Sequence, residues 1–300
     1  MYRKKKCLNG REVASVAYLS EMDADTGFVE ASAVRDKGAE LAEAHASAQP
    51  FPHTVIDDFL PPKVLEACLA AFPSLGEAAA AFDRDQERFK RQFNPDDLPP
   101  QLRGLFYSFN SLPFIRVLEN ITGIKGLIPD PFYLGAGFHE TAEGGHLAVH
   151  ADFNHHKPMN LERRINVLIY LNKDWKDDFG GQLELWNEQM TEKVKSVTPS
   201  FNRCVIFNTS STSYHGHPEK IRHPQGASRR SIALYYYTAT WDGSRREHTT
   251  QFKVRPDAAE KTDWRVKARE LAVDLTPPVL ARSLRNLKSR RSAKPLTPAL

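Results

Sequence analysis

From about residue 128 to about residue 240 the chain is written as short apolar runs separated by Gly, Pro, Asn and Asp. This constrains the fold more than any other feature. The runs cover 132–134, 147–149, 165–171, Leu183–Trp186, 194–197, 204–207 and 231–238, each of strand length and several rich in β-branched or aromatic residues. So many short strands, closely spaced, predict a sandwich, jelly roll or barrel. Upstream the period changes. His53–Ile56 reads as a short strand, and residues 57–62 supply acids and prolines suited to a helix entrance. Residues 63–72 then place Val64, Leu65, Cys68, Leu69 and Phe72 at helical spacing, with Pro73 as a stop. A second helical zone spans 98–123. Helices first and strands after imply an α+β fold with the helices packed on one side of a β-core. The expected division is a flexible N-terminal arm over 1–48, a helical support region over 49–127, the β-core over 128–245, and a helical basic tail over 246–300. In that tail 263–273 reads as a helix. After Pro277 and Pro278, residues 279–291 set Leu280, Leu284 and Leu287 against Arg282, Arg285 and Lys288.

Composition narrows the functional classes. A chain of 300 residues with 41% hydrophobic content can build a substantial core. A net charge of +4 does not by itself indicate nucleic acid. Cys7, Cys68 and Cys204 are far apart, which argues against a disulfide framework or a zinc knuckle and fits a reducing compartment. No apolar run approaches the roughly 20 residues of a membrane span. The basic N-terminus is not followed by an apolar stretch, so the expectation is a cytoplasmic protein without a signal peptide.

His150-Ala151-Asp152 places two ligand-type side chains at i and i+2, on one face of a strand. Two histidines and a carboxylate make the facial triad of non-haem iron(II) sites, which leaves coordination positions open. The third ligand must come from elsewhere. His215 and His217 both qualify, and His215 is favoured because it follows the 204–207 strand more closely. Further on, a strand begins at Arg229. Alternation puts Arg229, Ser231, Ala233 and Tyr235 on one face, where the small residues leave room beside the guanidinium. Arg suits the distal carboxylate of 2-oxoglutarate because its planar fork meets a carboxylate bidentately. The bland alternatives are a surface His beside a solvated Asp, and charges that merely open an edge strand.

The order His150-Ala151-Asp152, Ile169-Tyr170-Leu171-Asn172-Lys173-Asp174-Trp175, Gly180-Gly181-Gln182-Leu183-Glu184-Leu185, His215, Arg229 resembles the prolyl 4-hydroxylase-like 2-oxoglutarate/iron(II) dioxygenases, notably the EGL-nine type and bacterial relatives. The resemblance covers about residues 130–240. It implies a double-stranded β-helix (jelly-roll) core, iron(II), 2-oxoglutarate and O2, with L-ascorbate as reductant. It also implies oxidative decarboxylation to succinate coupled to hydroxylation of an unactivated C–H bond. By position, His150, Asp152 and His215 match the metal ligands, Arg229 the residue holding the distal carboxylate, and Tyr170 a tyrosine that assists it. Asn166 shares Tyr170's face and is expected in the same pocket. The chain departs from the pattern over 141–146, read as a longer loop, near His139, where a pocket tyrosine of the family is replaced, and over 154–162.

The substrate is therefore left open among a peptidyl residue, a small molecule, a lipid and a glycan. His155 and His156 are expected as solvated residues at the pocket mouth, His146 and His223 as loop residues, and Cys204 as a buried small hydrophobe. Two other readings stand beside the dioxygenase. One is a zinc hydrolase on the same three residues, which leaves Arg229 and Tyr170 without a task. The other is a binding module held weakly to a membrane surface by its basic tail.

Overall fold

The computed structural model describes residues 16–72, 80–242, 244 and 247–252. The chain divides into two units, Met1–Ala258 and Ala259–Leu300, and the description concerns the first. The helices expected over 263–273 and 279–291, and Cys7, lie outside the described residues.

The helices come first: α1 (Ala42–Ser47), α2 (Pro62–Ala71), α3 (Pro100–Phe109) and α4 (Leu112–Thr122). The last three each start on or beside a proline, whose fixed φ and missing N–H suit a first turn. The 98–123 zone is thus two helices, broken at Asn110–Ser111 and closed by Gly123 in a left-handed conformation. The strands are β1 (His53–Ile56), β2 (Ala80–Arg84), β3 (Glu87–Phe93), β4 (Ile128–Pro129), β5 (Gly137–Ala151), β6 (His155–His156), β7 (Leu161–Tyr170), β8 (Leu183–Trp186), β9 (Lys193–Val197), β10 (Cys204–Asn208), β11 (His215–His217), β12 (Arg229–Thr238) and β13 (Gln251–Phe252).

Every ladder between these strands is antiparallel, in the order β1-β10-β7-β12-β5-β11-β8-β9. β5 makes the sheet curl. Its first half pairs with β12 and β3, with Gly137 opposite Ala233 and Thr141 opposite both Arg229 and Lys90. Its second half pairs with β11 and β13, with His150 opposite His215 and Ala151 opposite Gln251. One strand therefore serves two halves that enclose an interior, which is the double-stranded β-helix expected from the resemblance.

The period of two decides what faces where. Ile165, Val167 and Ile169 of β7, Cys204 and Ile206 of β10, and Ile232, Leu234 and Tyr236 of β12 are buried with the helices' Leu65, Phe106, Phe114, Leu118 and Ile121 in the main core. Each such side chain contributes about 1.5–3 kcal/mol by leaving water. Tyr236 also donates its hydroxyl to the Phe109 carbonyl at 2.9 Å, tying β12 to α3. The alternate residues face the interior: Tyr170, Val205 and Phe207 pack there with Leu183 and Leu185 of β8.

Four expectations change. Residues 132–134 are a turn, not a strand: the Asp130 carboxylate accepts from the Phe132 and Leu134 amides at 2.8 and 2.7 Å, and both side chains are exposed. Residues 141–146 are not a loop but part of β5, paired with β3. The β2–β3 hairpin was not foreseen. Nor is the described part of the 1–48 arm loose: Leu19, Met22, Val29 and Val34 are buried in the main core, and Leu19 donates its amide to the Phe59 carbonyl at 2.8 Å.

Candidate metal centre and its cavity

β5 ends by presenting His150 inward, with Asp152 directly after the strand. Across the ladder the partner of His150 is His215 of β11. One ligand atom from each of His150, Asp152 and His215 lies within 4.8 Å of the others. The imidazole tautomers follow from the backbone. Nδ1 of His150 lies 2.8 Å from the Ala148 carbonyl and Nδ1 of His215 lies 3.0 Å from the Ser213 carbonyl. A carbonyl can only accept, so each Nδ1 carries the proton and each Nε2 offers a lone pair. Those Nε2 atoms stand 3.5 and 3.4 Å from the Asp152 carboxylate. Burial pushes the His215 imidazole down to about 4 against the pull of Asp152, so it is neutral at physiological pH. Two imidazoles and a carboxylate with open approach are the donor set that suits iron(II).

Asp152 is held from behind. Its Oδ2 accepts from Asn166 Nδ2 at 2.7 Å and lies 3.0 Å from an Arg163 guanidinium nitrogen. Arg163 also donates to Asn166 Oδ1 at 3.0 and 2.7 Å, and its guanidinium carbon sits 3.6 Å from the centre of the Tyr235 ring. Burial would raise the Asp152 carboxyl, but Arg163 and the two histidines outweigh it and hold the group well below the usual carboxylate range. Sequence reasoning missed Arg163. Strict alternation puts it on the helix side with Ile165. The ladder steps from Tyr236↔Ile165 to Tyr237↔Arg163, so β7 carries one extra residue there and Arg163 turns inward.

Arg229 opens β12 and is buried. Its Nε donates to the Gly181 carbonyl at 2.7 Å and one terminal nitrogen donates to the Tyr170 hydroxyl at 3.3 Å. Gly181 has φ of 72° and a Cβ there would lie 3.0 Å from Arg229 Cδ, so the bare backbone at Gly181 makes room for the side chain. Among the described residues Arg229 has no acidic partner. A single cavity of about 210 Å³ is lined by His150, Asp152, His215, Asn166, Arg163 and Arg229. Ser231 and Tyr235 also line it, as the alternation from Arg229 predicts.

Of the two candidates for the third position, the structure brings His215 to His150 and Asp152. His217 lines the same cavity but is not in that group. His156 is not solvated: it is fully buried, with Nε2 3.0 Å from Asp130. His155 is partly buried, stacked on Trp241 with ring centroids 4.3 Å apart.

Residues 136–237 match the profile of the 2OG-Fe(II) oxygenase superfamily. A stretch of 79 residues, 25% of this chain, is 37% identical to the mouse (Mus musculus) prolyl 3-hydroxylase OGFOD1 and spans 14% of that protein. Among solved structures, a prolyl hydroxylase from Trichoplax adhaerens in complex with a hypoxia inducible factor oxygen degradation domain peptide fragment is similar with a TM-score of 0.50 at 18% identity, over 71% of this chain and 94% of that one. A Pseudomonas putida prolyl-4-hydroxylase is similar with a TM-score of 0.46 at 18% identity, over 67% of this chain and 98% of that one. The first structural likeness is one of fold.

Proposed function

We propose that this chain, a member of the 2OG-Fe(II) oxygenase superfamily through residues 136–237, is a 2-oxoglutarate- and iron(II)-dependent dioxygenase that hydroxylates an unactivated C–H bond and releases succinate. One observation carries the reading. Arg229 is a buried cation without an acidic partner among the described residues, and it lines the same cavity as His150, Asp152 and His215. An isolated buried charge is strongly unfavourable, so its persistence beside a metal-type donor set argues for an anionic ligand. A dicarboxylate that reaches from the metal to Arg229 meets that requirement.

His150, Asp152 and His215 would hold the iron. When bound, the metal supplies the activation of O2, with 2-oxoglutarate as the electron donor. The protein's own residues do the rest. The Ala148 and Ser213 carbonyls fix the two tautomers. Arg163 and Asn166 orient the carboxylate, and Asn166 also lines the cavity in which it was expected. Tyr170 and the Gly181 carbonyl hold the Arg229 fork in place. Phe82, Phe153 and Phe252 line the same cavity, an apolar setting suited to an aliphatic C–H bond.

The substrate we favour is a prolyl or other peptidyl residue, supported by the prolyl hydroxylases to which the chain is similar. Ascorbate as reductant, a cytoplasmic setting and a weak membrane contact through the basic tail belong to the proposal as well. No helix among the described residues is long and apolar enough to cross a membrane. The zinc-hydrolase reading leaves Arg229 idle, and neither it nor the binding-module reading finds support in the similar proteins.

The test is succinate formation from 2-oxoglutarate by the full chain. It should require added iron(II) and vanish in His150→Ala and Asp152→Ala. Activity with zinc and none with iron would overturn the proposal.

A further inference from the structure

β11 gives the cavity two histidines, and the proposed chemistry uses only His215. His217 lies two residues on, so it shares the inward face, opposite Leu147 of β5. It is 4% exposed, and its Nδ1 is buried without a hydrogen-bond partner. The contrast with its neighbours is direct: Nδ1 of His150 and of His215 each has a backbone carbonyl. No hydrogen bond to the His217 ring exists among the described residues. Buried ring nitrogens rarely stay unpaired, and an exception marks a place that a ligand can complete.

The surroundings say what kind of ligand. Arg229 of β12, Lys90 of β3 and His146 and His150 of β5 are the charged or titratable groups that act on His217. Lys90 is already neutralised, with its Nζ 3.1 Å from Glu87. Arg229 is not. An imidazole carries at least one N–H donor whichever tautomer it adopts. An N–H donor and an unpaired guanidinium lining one cavity suit an anion with several acceptor oxygens. Metal ligation is the poorer use, because the group of converging ligand atoms contains His215 and not His217.

The geometry points to His217 as a further co-substrate-binding residue, whose imidazole donates a hydrogen bond to a carboxylate of 2-oxoglutarate beside Arg229. This rests on the dioxygenase reading above and adds a residue to it.

The experiment is an anaerobic titration of the iron(II)-loaded full chain with 2-oxoglutarate, followed by the absorbance of the metal–2-oxoglutarate complex. Iron(II) affinity is measured separately on each variant. His217→Phe should weaken 2-oxoglutarate binding by about tenfold or more, the scale of one hydrogen bond to a charged group. Its iron(II) affinity should match wild type. His217→Asn, which keeps a donor, should recover part of the loss and guards against a folding defect in the bulkier variant. Arg229→Ala is the control for the pocket itself. Wild-type 2-oxoglutarate affinity in both His217 variants, with loss in Arg229→Ala, overturns the inference and leaves the dioxygenase standing. Loss of iron(II) affinity in His217→Phe and His217→Asn also overturns it, in favour of a role at the metal. If wild type itself shows no iron-dependent binding of 2-oxoglutarate, the dioxygenase reading falls and the inference falls with it.

Discussion

Arg163 stands behind Asp152 as the histidines stand before it, and it reaches the carboxylate and Asn166 with one fork. Removing it would leave a buried carboxylate free to turn away from His150 and His215. Arg163→Leu should therefore weaken iron(II) or cobalt(II) binding by about 10- to 100-fold, the scale seen when the group behind a metal ligand is lost. Arg163→Lys should recover little, because an ammonium is a compact point charge on a flexible stem and lacks the planar, fixed fork that meets Asp152 and Asn166 together. Metal titration followed by d–d absorbance of cobalt(II) would check both, and unchanged affinity in Arg163→Leu would remove the residue from the metal's support. Residues of this kind mark the limit of sequence reasoning. Arg229 was legible because it opens a strand whose alternate residues Ser231 and Ala233 are small, and Tyr170 was legible through the family resemblance. Arg163 was not, because a one-residue bulge beside Arg164 reverses its face. His156 was hidden differently: its partner Asp130 lies 26 residues earlier, and nothing local announces the pair.

Among the elements, β3 and β5 meet so closely at one point that only glycine fits. Gly137 has φ of 119°, and a Cβ there would stand 2.2 Å from the Phe93 carbonyl oxygen. Gly137→Ala should destabilise the protein by about 2–4 kcal/mol, combining a disfavoured backbone conformation with a clash against main chain. The lowered midpoint would appear in chemical denaturation, and a wild-type midpoint would show that β3 can withdraw from β5 at little cost. The hairpin that makes this contact was illegible for a physical reason. Arg84, Glu87, Lys90 and Arg91 hold it through ion pairs with each other and with Glu140 of β5, so it lacks the apolar alternation that revealed β7, β10 and β12. The opposite error occurred at 132–134, where an apolar run is a turn tied down by Asp130. Apolar content identified strands where both faces are covered and failed where backbone hydrogen bonding to a side chain set the conformation.

The molecule as a whole stores several neutral histidines. His45, His215 and His217 are all buried, and burial is the leading cause that lowers each imidazole, that of His215 to about 4. A lowered folded-state value means that the unfolded chain takes up protons first as pH falls. Stability is then full above the unfolded value of about 6.5 and is lost on the way down to the folded values. His215 alone should remove about 2 kcal/mol between pH 7 and pH 5 in the metal-free protein. Denaturant midpoints at the two pH values would show it, and a flat profile would mean that these rings take up protons over the same range in the folded as in the unfolded chain. Metal binding should weaken over the same interval, because a histidine ligand must be neutral to bind. The shared strand β5 has a further consequence, for the order in which the protein is made. His150 and Asp152 leave the ribosome well before His215, and Arg229 comes later still. β1 likewise waits for β10, and the first half of β5 waits for β12. A nascent chain therefore carries an incomplete ligand set until His215 has emerged and unpaired strands until β12 has emerged, since its long-range partners do not yet exist. Metal capture and co-substrate capture become post-synthetic events, and the aggregation-prone interval ends when the last interior strand, not the last helix, finds its place.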